Sequence, residues 1–212
     1  MDKPLHDIRR EYTLTQLSED SADADPLRQF DVWFDEATKH VPLEPNGMAL
    51  ATVGADGRPT ARIVLLKAYD QRGFVFFTNL ASRKGQELAV NPNAALLFWW
   101  SALERQVRIE GKVTVAERPE AEAYFATRPR DTQLGACASP QSHPITRDEL
   151  EMRMEAVRKQ YDGAGVPCPS QWGGYRLRPD YYEFWQGRAM RLHDRLAYER
   201  DGEKWRMSRI AP

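Results

Sequence analysis

Apolar positions along the chain fall into alternating helical and strand-like blocks. Leu27, Phe30, Phe34 and Ala37 stand three and four residues apart, the spacing of one helix face. Asp25-Pro26 ahead of them offers a side-chain cap and a proline suited to the first helical position, so a helix is predicted from there to about His40. Three strands follow, at residues 48–53, 60–69 and 74–78, with turns at Asp56-Gly57 and Asp70-Gln71-Arg72-Gly73. Ser82 is placed to cap a short helix ending near Asn91-Pro92. Residues 94–100 and 105–115 read as strands whose apolar density predicts burial on both faces. Residues 119–126 form a short helix, and the capping box Thr146-x-x-Glu149 opens another that runs to about Tyr161 with a solvated outer face. After a loop at 163–170, strands are predicted at 172–177, 181–186, 192–199 and 204–210, with a hairpin turn at Asp201-Gly202. Tight turns between strands, with helices inserted, predict an α+β, mainly β fold: an antiparallel β-barrel with peripheral helices. Residues 1–24 are polar and read as a mobile N-terminal arm ahead of a single domain at 25–212.

Composition narrows the class. The chain has 212 residues, 42% of them hydrophobic, with six Trp, eight Tyr and eight Phe, which excludes disorder as the main state. At this size about 70% of the unfolded surface can be buried. The longest apolar run, 94–100, is about a third of the roughly 20 residues a spanning helix needs, so no membrane is expected. Thirty Lys and Arg balance 31 Asp and Glu, which argues against nucleic acid as a partner. Cys137 and Cys168 show no metal-ligand spacing and no disulfide framework, so no metal is expected. The start of the chain has no apolar signal core, and a reduced cytoplasmic protein is the simplest expectation. Neither GxGxxG nor GxxxxGK[ST] occurs.

The cations carry the most information. Arg62 and Lys67 bracket an apolar strand in which Arg62, Val64 and Leu66 share one face and Ile63, Leu65 and Lys67 the other. Arg83 and Lys84 open a helix, where cations are unfavourable unless an anion lies between them; the choice is between a phosphate cradle and a solvated basic turn. Arg128-Pro129-Arg130 presents two guanidiniums around a stiff proline, either a phosphate fork or cations at a helix C-terminus. In a strand, Arg191, His193 and Arg195 would share one face and repel each other unless an anion offset them.

These segments, in this order, resemble the pyridoxine (pyridoxamine) 5′-phosphate oxidase family over nearly the whole chain. The similarity runs through Arg9-Arg10-Glu11-Tyr12, Asp25-Pro26-Leu27, Arg62-Ile63-Val64-Leu65-Leu66-Lys67, Phe77-Thr78-Asn79 and Ser82-Arg83-Lys84. It continues in Glu104-Arg105-Gln106-Val107, Tyr124-Phe125, Arg128-Pro129-Arg130, Gln141-Ser142, Trp172-Gly173-Gly174, Phe184-Trp185-Gln186-Gly187 and Arg191-Leu192-His193-Asp194-Arg195. The resemblance implies an FMN-binding split barrel and a homodimer with FMN at the interface. It implies oxidation of pyridoxine or pyridoxamine 5′-phosphate to pyridoxal 5′-phosphate, with O2 as acceptor and H2O2 as product. By the same resemblance the flavin contacts are Arg62, Ile63, Val64, Leu65, Leu66, Lys67, Phe77, Thr78, Arg83 and Lys84, with Gln106, Gln141, Ser142, Trp185 and Arg195 completing the site. Lys67, Tyr124, Arg128 and Thr132 match positions that hold the substrate phosphate. Arg191 and His193 match the catalytic pair over the pyridine ring, with Leu192 between them, and Arg9, Arg10, Glu11 and Tyr12 match an arm that contacts substrate.

Some positions depart from the pattern: Cys137 stands where Trp is expected, Thr132 where Ser is usual, Phe77 where Tyr is frequent, and Ala189-Met190 precedes Arg191. Thr132 keeps a hydroxyl, whereas Phe77 has no side-chain donor. Two other functions compete, a phenazine-pathway flavin oxidase on the same fold and a non-catalytic flavin-binding module.

Overall fold

The structure, a computed structural model, describes residues 4–7 and 10–212. The chain divides into two units. One takes the described residues up to Ala49 with Ala95–Glu110 and Pro179–Pro212; the other takes Leu50–Ala94 and Gly111–Arg178.

In the first unit, helix α1 (Pro26–His40) begins as its sequence predicts, the Asp25 carboxylate accepting the Leu27 N–H at 2.9 Å. Its buried face of Gln29, Phe30, Trp33 and Ala37 follows the helical repeat. Phe30 packs on Phe98 and Trp100 with ring centroids 5.2 and 6.2 Å apart, and Trp33 meets Phe184 edge-on at 5.3 Å.

The strands are β1 (Gly47–Val53), β2 (Pro59–Leu65), β3 (Ala68–Asp70), β4 (Gly73–Asn79), β5 (Asn93–Trp100), β6 (Arg105–Val115), β7 (Trp172–Gln186), β8 (Asp194–Asp201) and β9 (Lys204–Arg209). Their hydrogen-bonded order is β2-β1-β5-β6-β7-β4-β3, with β8 between β7 and β9. The pairs β3–β4, β4–β7, β7–β8 and β8–β9 are antiparallel. The second unit adds helices α2 (Arg83–Val90), α3 (Arg118–Thr127), α4 (Arg130–Ala138) and α5 (Arg147–Gln160). The Thr146 hydroxyl accepts the Glu149 N–H at 3.2 Å, as its capping box requires.

The structure corrects five expectations. The strand predicted at 60–69 is two strands. At Leu66-Lys67 the chain leaves its place beside β1, buries Leu66, and joins β4 through the Lys67 N–H to Val75 carbonyl bond of 2.9 Å. Conversely, 172–177 and 181–186 are one strand, β7. Pro179 does not break it, because its missing N–H falls between Leu177, the last partner of β4, and Tyr181, the first partner of β8. Helix α4 was not predicted. Pro129 occupies its cap position, and only Leu134 and Ala138 are buried along it, too few to register as a period. Strands β5 and β6 alternate in burial, with Leu96, Phe98 and Trp100 inside and Trp99 exposed, so neither is buried on both faces within the chain. Finally, β8 starts at Asp194. Ala189–Arg191 is a short 3-10 turn with Met190 and Arg191 at φ 56° and 63°, so Arg191, His193 and Arg195 do not share a strand face.

Candidate active site

A cavity of about 760 Å³ opens in the second unit, within the size range of small-molecule sites. Its cations are Arg62, Lys67, Lys84 and Arg128, and no carboxylate lines it among the described residues. The four cations are not equivalent.

Arg62 is ion-paired. Its guanidinium donates to the Leu50 carbonyl at 3.1 Å, to the Thr52 and Thr60 hydroxyls at 2.5 Å each, and to Glu87 at 3.0 Å. Glu87, buried on α2, also accepts from Thr52 at 2.6 Å, Thr60 at 2.7 Å and Arg83 at 2.9 Å. Burial pushes its carboxyl up, but these hydrogen bonds outweigh burial and hold its pKa at about 2. Arg83 thus serves Glu87 from an exposed position and does not line the cavity.

Lys84 is different. Its buried Nζ donates to Thr78 Oγ1 at 3.0 Å, Ser82 Oγ at 3.3 Å and Gln141 Oε1 at 3.3 Å, all neutral acceptors. It forms no ion pair among the described residues. Burial lowers its pKa, the Arg62 charge lowers it further, and Glu87 opposes both. Ser82 is the N-cap residue of α2, but its side chain makes no cap bond. Close packing aims the lysine: a Cβ on Gly85 would lie 2.0 Å from the Leu80 carbonyl oxygen.

Arg128 lies over the rings of Trp172 and Phe125, 5.0 and 5.6 Å from their centroids. Its NH1 is buried without a hydrogen-bond partner among the described residues, and burial lowers its pKa. An orphaned guanidinium nitrogen on a side chain that lines a cavity is costly alone and fits an anion. Lys67 stands exposed, 5.7 Å from the Tyr124 ring. The Thr132 hydroxyl donates to the Pro129 carbonyl at 2.7 Å and keeps its lone pairs.

An aromatic wall completes the cavity. Phe77 stacks on Tyr124 at 4.4 Å and on Trp172 at 5.5 Å. Gly174 permits this, since a Cβ there would stand 2.7 Å from the Phe77 ring. Phe77 therefore acts by packing. Ile63, Val64, Leu65, Thr78 and Gln141 also line the cavity, while Leu66 is in the core and Ser142 lies outside the lining at φ 72°. Trp172 and Glu87 were missed as site residues. The Gly173-Gly174 pair inside a strand and the four-residue spacing of Arg83 and Glu87 were the available signals.

The remaining candidates lie in the first unit. Trp185 and His193 are 4.6 Å apart, and Tyr12 meets each ring at 5.7 Å. His193 Nδ1 accepts the Arg188 N–H at 3.1 Å, which puts the proton of the neutral ring on Nε2. Burial lowers the His193 pKa, Arg191 lowers it further, and Asp194 opposes. Arg191 and Leu192 are exposed, as is Glu11, and Gln106 is half-buried. Arg195 is held by Glu183 at 2.8 Å and the Ala211 carbonyl at 2.7 Å. Arg10 pairs with Glu104 at 3.1 Å. Arg9 lies outside the described residues. No helix among the described residues is long and apolar enough to cross a membrane, and no cluster among them could hold a metal ion.

Comparison with known proteins places the site in context. The sequence model described as pyridoxamine 5′-phosphate oxidase matches residues 34–161. That described as pyridoxine 5′-phosphate oxidase C-terminal dimerisation region matches residues 172–212. A pyridoxine/pyridoxamine 5′-phosphate oxidase of Rubrobacter xylanophilus is 55% identical over 211 residues, 99% of this chain and 97% of that one. One of Bordetella petrii is 55% identical over 209 residues, 98% of this chain and 99% of that one. Among solved structures, PhzG from Burkholderia lata 383 in complex with tetrahydrophenazine-1-carboxylic acid aligns with a TM-score of 0.86 at 32% identity, covering 92% of this chain and 98% of that one. A pyridoxamine 5′-phosphate oxidase-related, FMN binding protein of Nostoc punctiforme aligns with a TM-score of 0.73 at 16% identity, covering 90% and 100%. These structures bear out the split-barrel fold.

Proposed function

From the premise that the chain belongs to the pyridoxine/pyridoxamine 5′-phosphate oxidase family of oxidoreductases, we propose that it is an FMN-dependent oxidase of pyridoxine and pyridoxamine 5′-phosphates, with O2 as acceptor and pyridoxal 5′-phosphate and H2O2 as products. The observation that carries this reading is the cavity lined, among the described residues, by four cations and no carboxylate, in which Lys84 has only neutral partners among those residues and Arg128 NH1 has none. Two phosphorylated ligands need two cation sets, and the cavity supplies both.

The donor set fits FMN. Lys84, Thr78 and Gln141 offer a buried ammonium, a hydroxyl and an amide to a phosphate, with Arg62 held alongside by Glu87. The backbone of Arg62, Ile63, Val64, Leu65, Leu66 and Lys67, with Phe77, Arg83 and Ser142, belongs to the same proposed flavin site, and Gln106, Trp185 and Arg195 complete it in a homodimer. Exposed Trp99 and Leu192 and the match to a dimerisation region support that assembly. When bound, FMN supplies the two-electron acceptor that no side chain here provides. Arg128, Lys67, Tyr124 and Thr132 hold the substrate phosphate. Arg191 and His193 orient the substrate ring, the Nε2–H of neutral His193 donating to its 3-hydroxyl oxygen, and Arg9, Arg10, Glu11, Tyr12 and Leu192 cover it. The enzyme works in the cytoplasm as one domain over 25–212 with its N-terminal arm.

The test is direct. The purified protein is expected to be yellow, to bleach on anaerobic mixing with pyridoxamine 5′-phosphate, and to release H2O2 in air. A yellow protein that does not bleach refutes the oxidase reading. The structural likeness to PhzG favours a second reading, oxidation of a tricyclic acid without phosphate. That reading leaves Arg128 and Thr132 without a ligand, and it requires turnover of a dihydrophenazine carboxylate but not of pyridoxine 5′-phosphate.

A further inference from the structure

Glu104 does more than its turn requires. Its side chain is 2% exposed. It closes the 3-10 turn Ser101–Leu103 with a left-handed backbone, φ 55° and ψ 38°, which costs a residue with a side chain. Its carbonyl accepts the Gly187 N–H at 2.8 Å and the Gln186 amide at 3.2 Å. Its carboxylate turns to a segment 91 residues earlier in the chain: Oε2 accepts the N–H groups of Thr13 at 2.9 Å and Leu14 at 3.2 Å. The other oxygen, Oε1, pairs with the Arg10 guanidinium at 3.1 Å. A buried carboxylate needs such partners, so the segment and Glu104 hold each other.

Gly187 shows what this segment is pressed against. A Cβ there would lie 2.7 Å from Tyr12 Cγ, so glycine alone lets the tyrosine lie so close. From that position Tyr12 meets Trp185 and His193, each at 5.7 Å.

We propose that Glu104 is a positioning residue, a latch that fixes residues 10–14 so that Tyr12 covers the Trp185–His193 pair. Its kinetic consequence rests on the oxidase reading given above; the latch itself does not. The test uses the FMN-loaded enzyme. Glu104→Gln removes the charge while keeping one acceptor. Gly187→Ala displaces Tyr12 from the other side and leaves the carboxylate in place.

In Glu104→Gln, amide hydrogen exchange at Thr13 and Leu14 is expected to quicken roughly tenfold or more, the loss of a charge-assisted hydrogen bond. The KM for pyridoxine 5′-phosphate is expected to rise by about tenfold, while kcat, flavin content and melting temperature stay near wild type. Gly187→Ala is expected to reproduce the KM rise. Unchanged exchange in Glu104→Gln overturns the latch, and so does faster exchange with KM unchanged. A joint fall of kcat, flavin content and melting temperature shows a structural role only and also overturns it. If Glu104→Gln does not fold, an unchanged KM in Gly187→Ala overturns it. If the wild-type protein binds FMN but does not turn over pyridoxine 5′-phosphate, the oxidase reading fails alone, and exchange at Thr13 and Leu14 still decides the latch.

Discussion

Replacing Lys84 by methionine separates a ligand-binding cation from a structural one, because the two roles predict opposite results. The Lys84 ammonium is buried, and its three acceptors are the neutral groups of Thr78, Ser82 and Gln141. Desolvation leads the causes that lower its pKa, so the fold without ligand works against this charge. Lys84→Met removes that penalty together with three hydrogen bonds of about 0.5–1.5 kcal/mol each, changes of opposite sign that partly cancel. The apoprotein is therefore expected to melt within a few degrees of wild type. Binding responds differently. A hydrogen bond to a charged group is worth about 1.5–3 kcal/mol, so FMN affinity is expected to fall about 10- to 150-fold. Quenching of flavin fluorescence on titration with apoprotein measures the dissociation constant. Unfolding of the same apoprotein in urea measures stability. A dissociation constant within about twofold of wild type would refute the phosphate role of Lys84. A clear loss of apoprotein stability would show that the neutral partners are its purpose.

Glu87→Gln leaves Arg62 and Arg83 without their shared partner and is expected to cost about 3 kcal/mol in urea unfolding. Because the Glu87 pKa is held at about 2, below its unfolded value, its stabilisation is complete above the ordinary carboxylate range and is lost as pH falls through about 2. The variant should lose less stability in acid than wild type, and equal acid slopes would contradict the assignment. Gly85→Ala should gain about 1 kcal/mol by helix propensity, yet the 2.0 Å approach of its Cβ to the Leu80 carbonyl predicts a net loss of about 1–3 kcal/mol; a higher melting temperature would refute the geometry. His193 titrates below the ordinary histidine value, so its share of stability is present above that value and fades as pH falls through the lowered pKa. A proton NMR titration showing a raised pKa would reverse that sign.

Local chemistry made much of the fold legible. Asp25-Pro26, Asp56-Gly57, the capping box at Thr146 and Asp201-Gly202 each act over two to four residues, and each is where the sequence puts it. Legibility fails where partners change at long range. Nothing within Ile63-Val64-Leu65-Leu66 signals that the chain leaves β1 for β4 at Leu66, and nothing beside Pro179 signals that its absent N–H falls between the partners of β7. Arg191, His193 and Arg195 would share a face only in a strand, whereas Met190 and Arg191 take left-handed backbone and the ladder begins only at Asp194.

The same limit governs the charges. In sequence Arg62, Arg83, Lys84, Arg128 and Arg195 are five cations beside apolar or turn residues, and repulsion argues equally for an anion near any of them. The fold sorts them by where the carboxylates fall. Glu87 takes Arg62 and Arg83, and Glu183 takes Arg195 and Arg108. Those acids lie 25, 4 and 12 residues from Arg62, Arg83 and Arg195, so only the Arg83 pair was within reach of helical spacing. Lys84 and Arg128 are left with no carboxylate in ion-pair reach among the described residues, and both line one cavity. A buried cation without a counter-ion destabilises the fold that holds it, and under the proposed function the ligand phosphates would offset that cost. That asymmetry, invisible in the sequence, singles out two of five cations in a charge-balanced chain as the ones the proposed phosphate site would use.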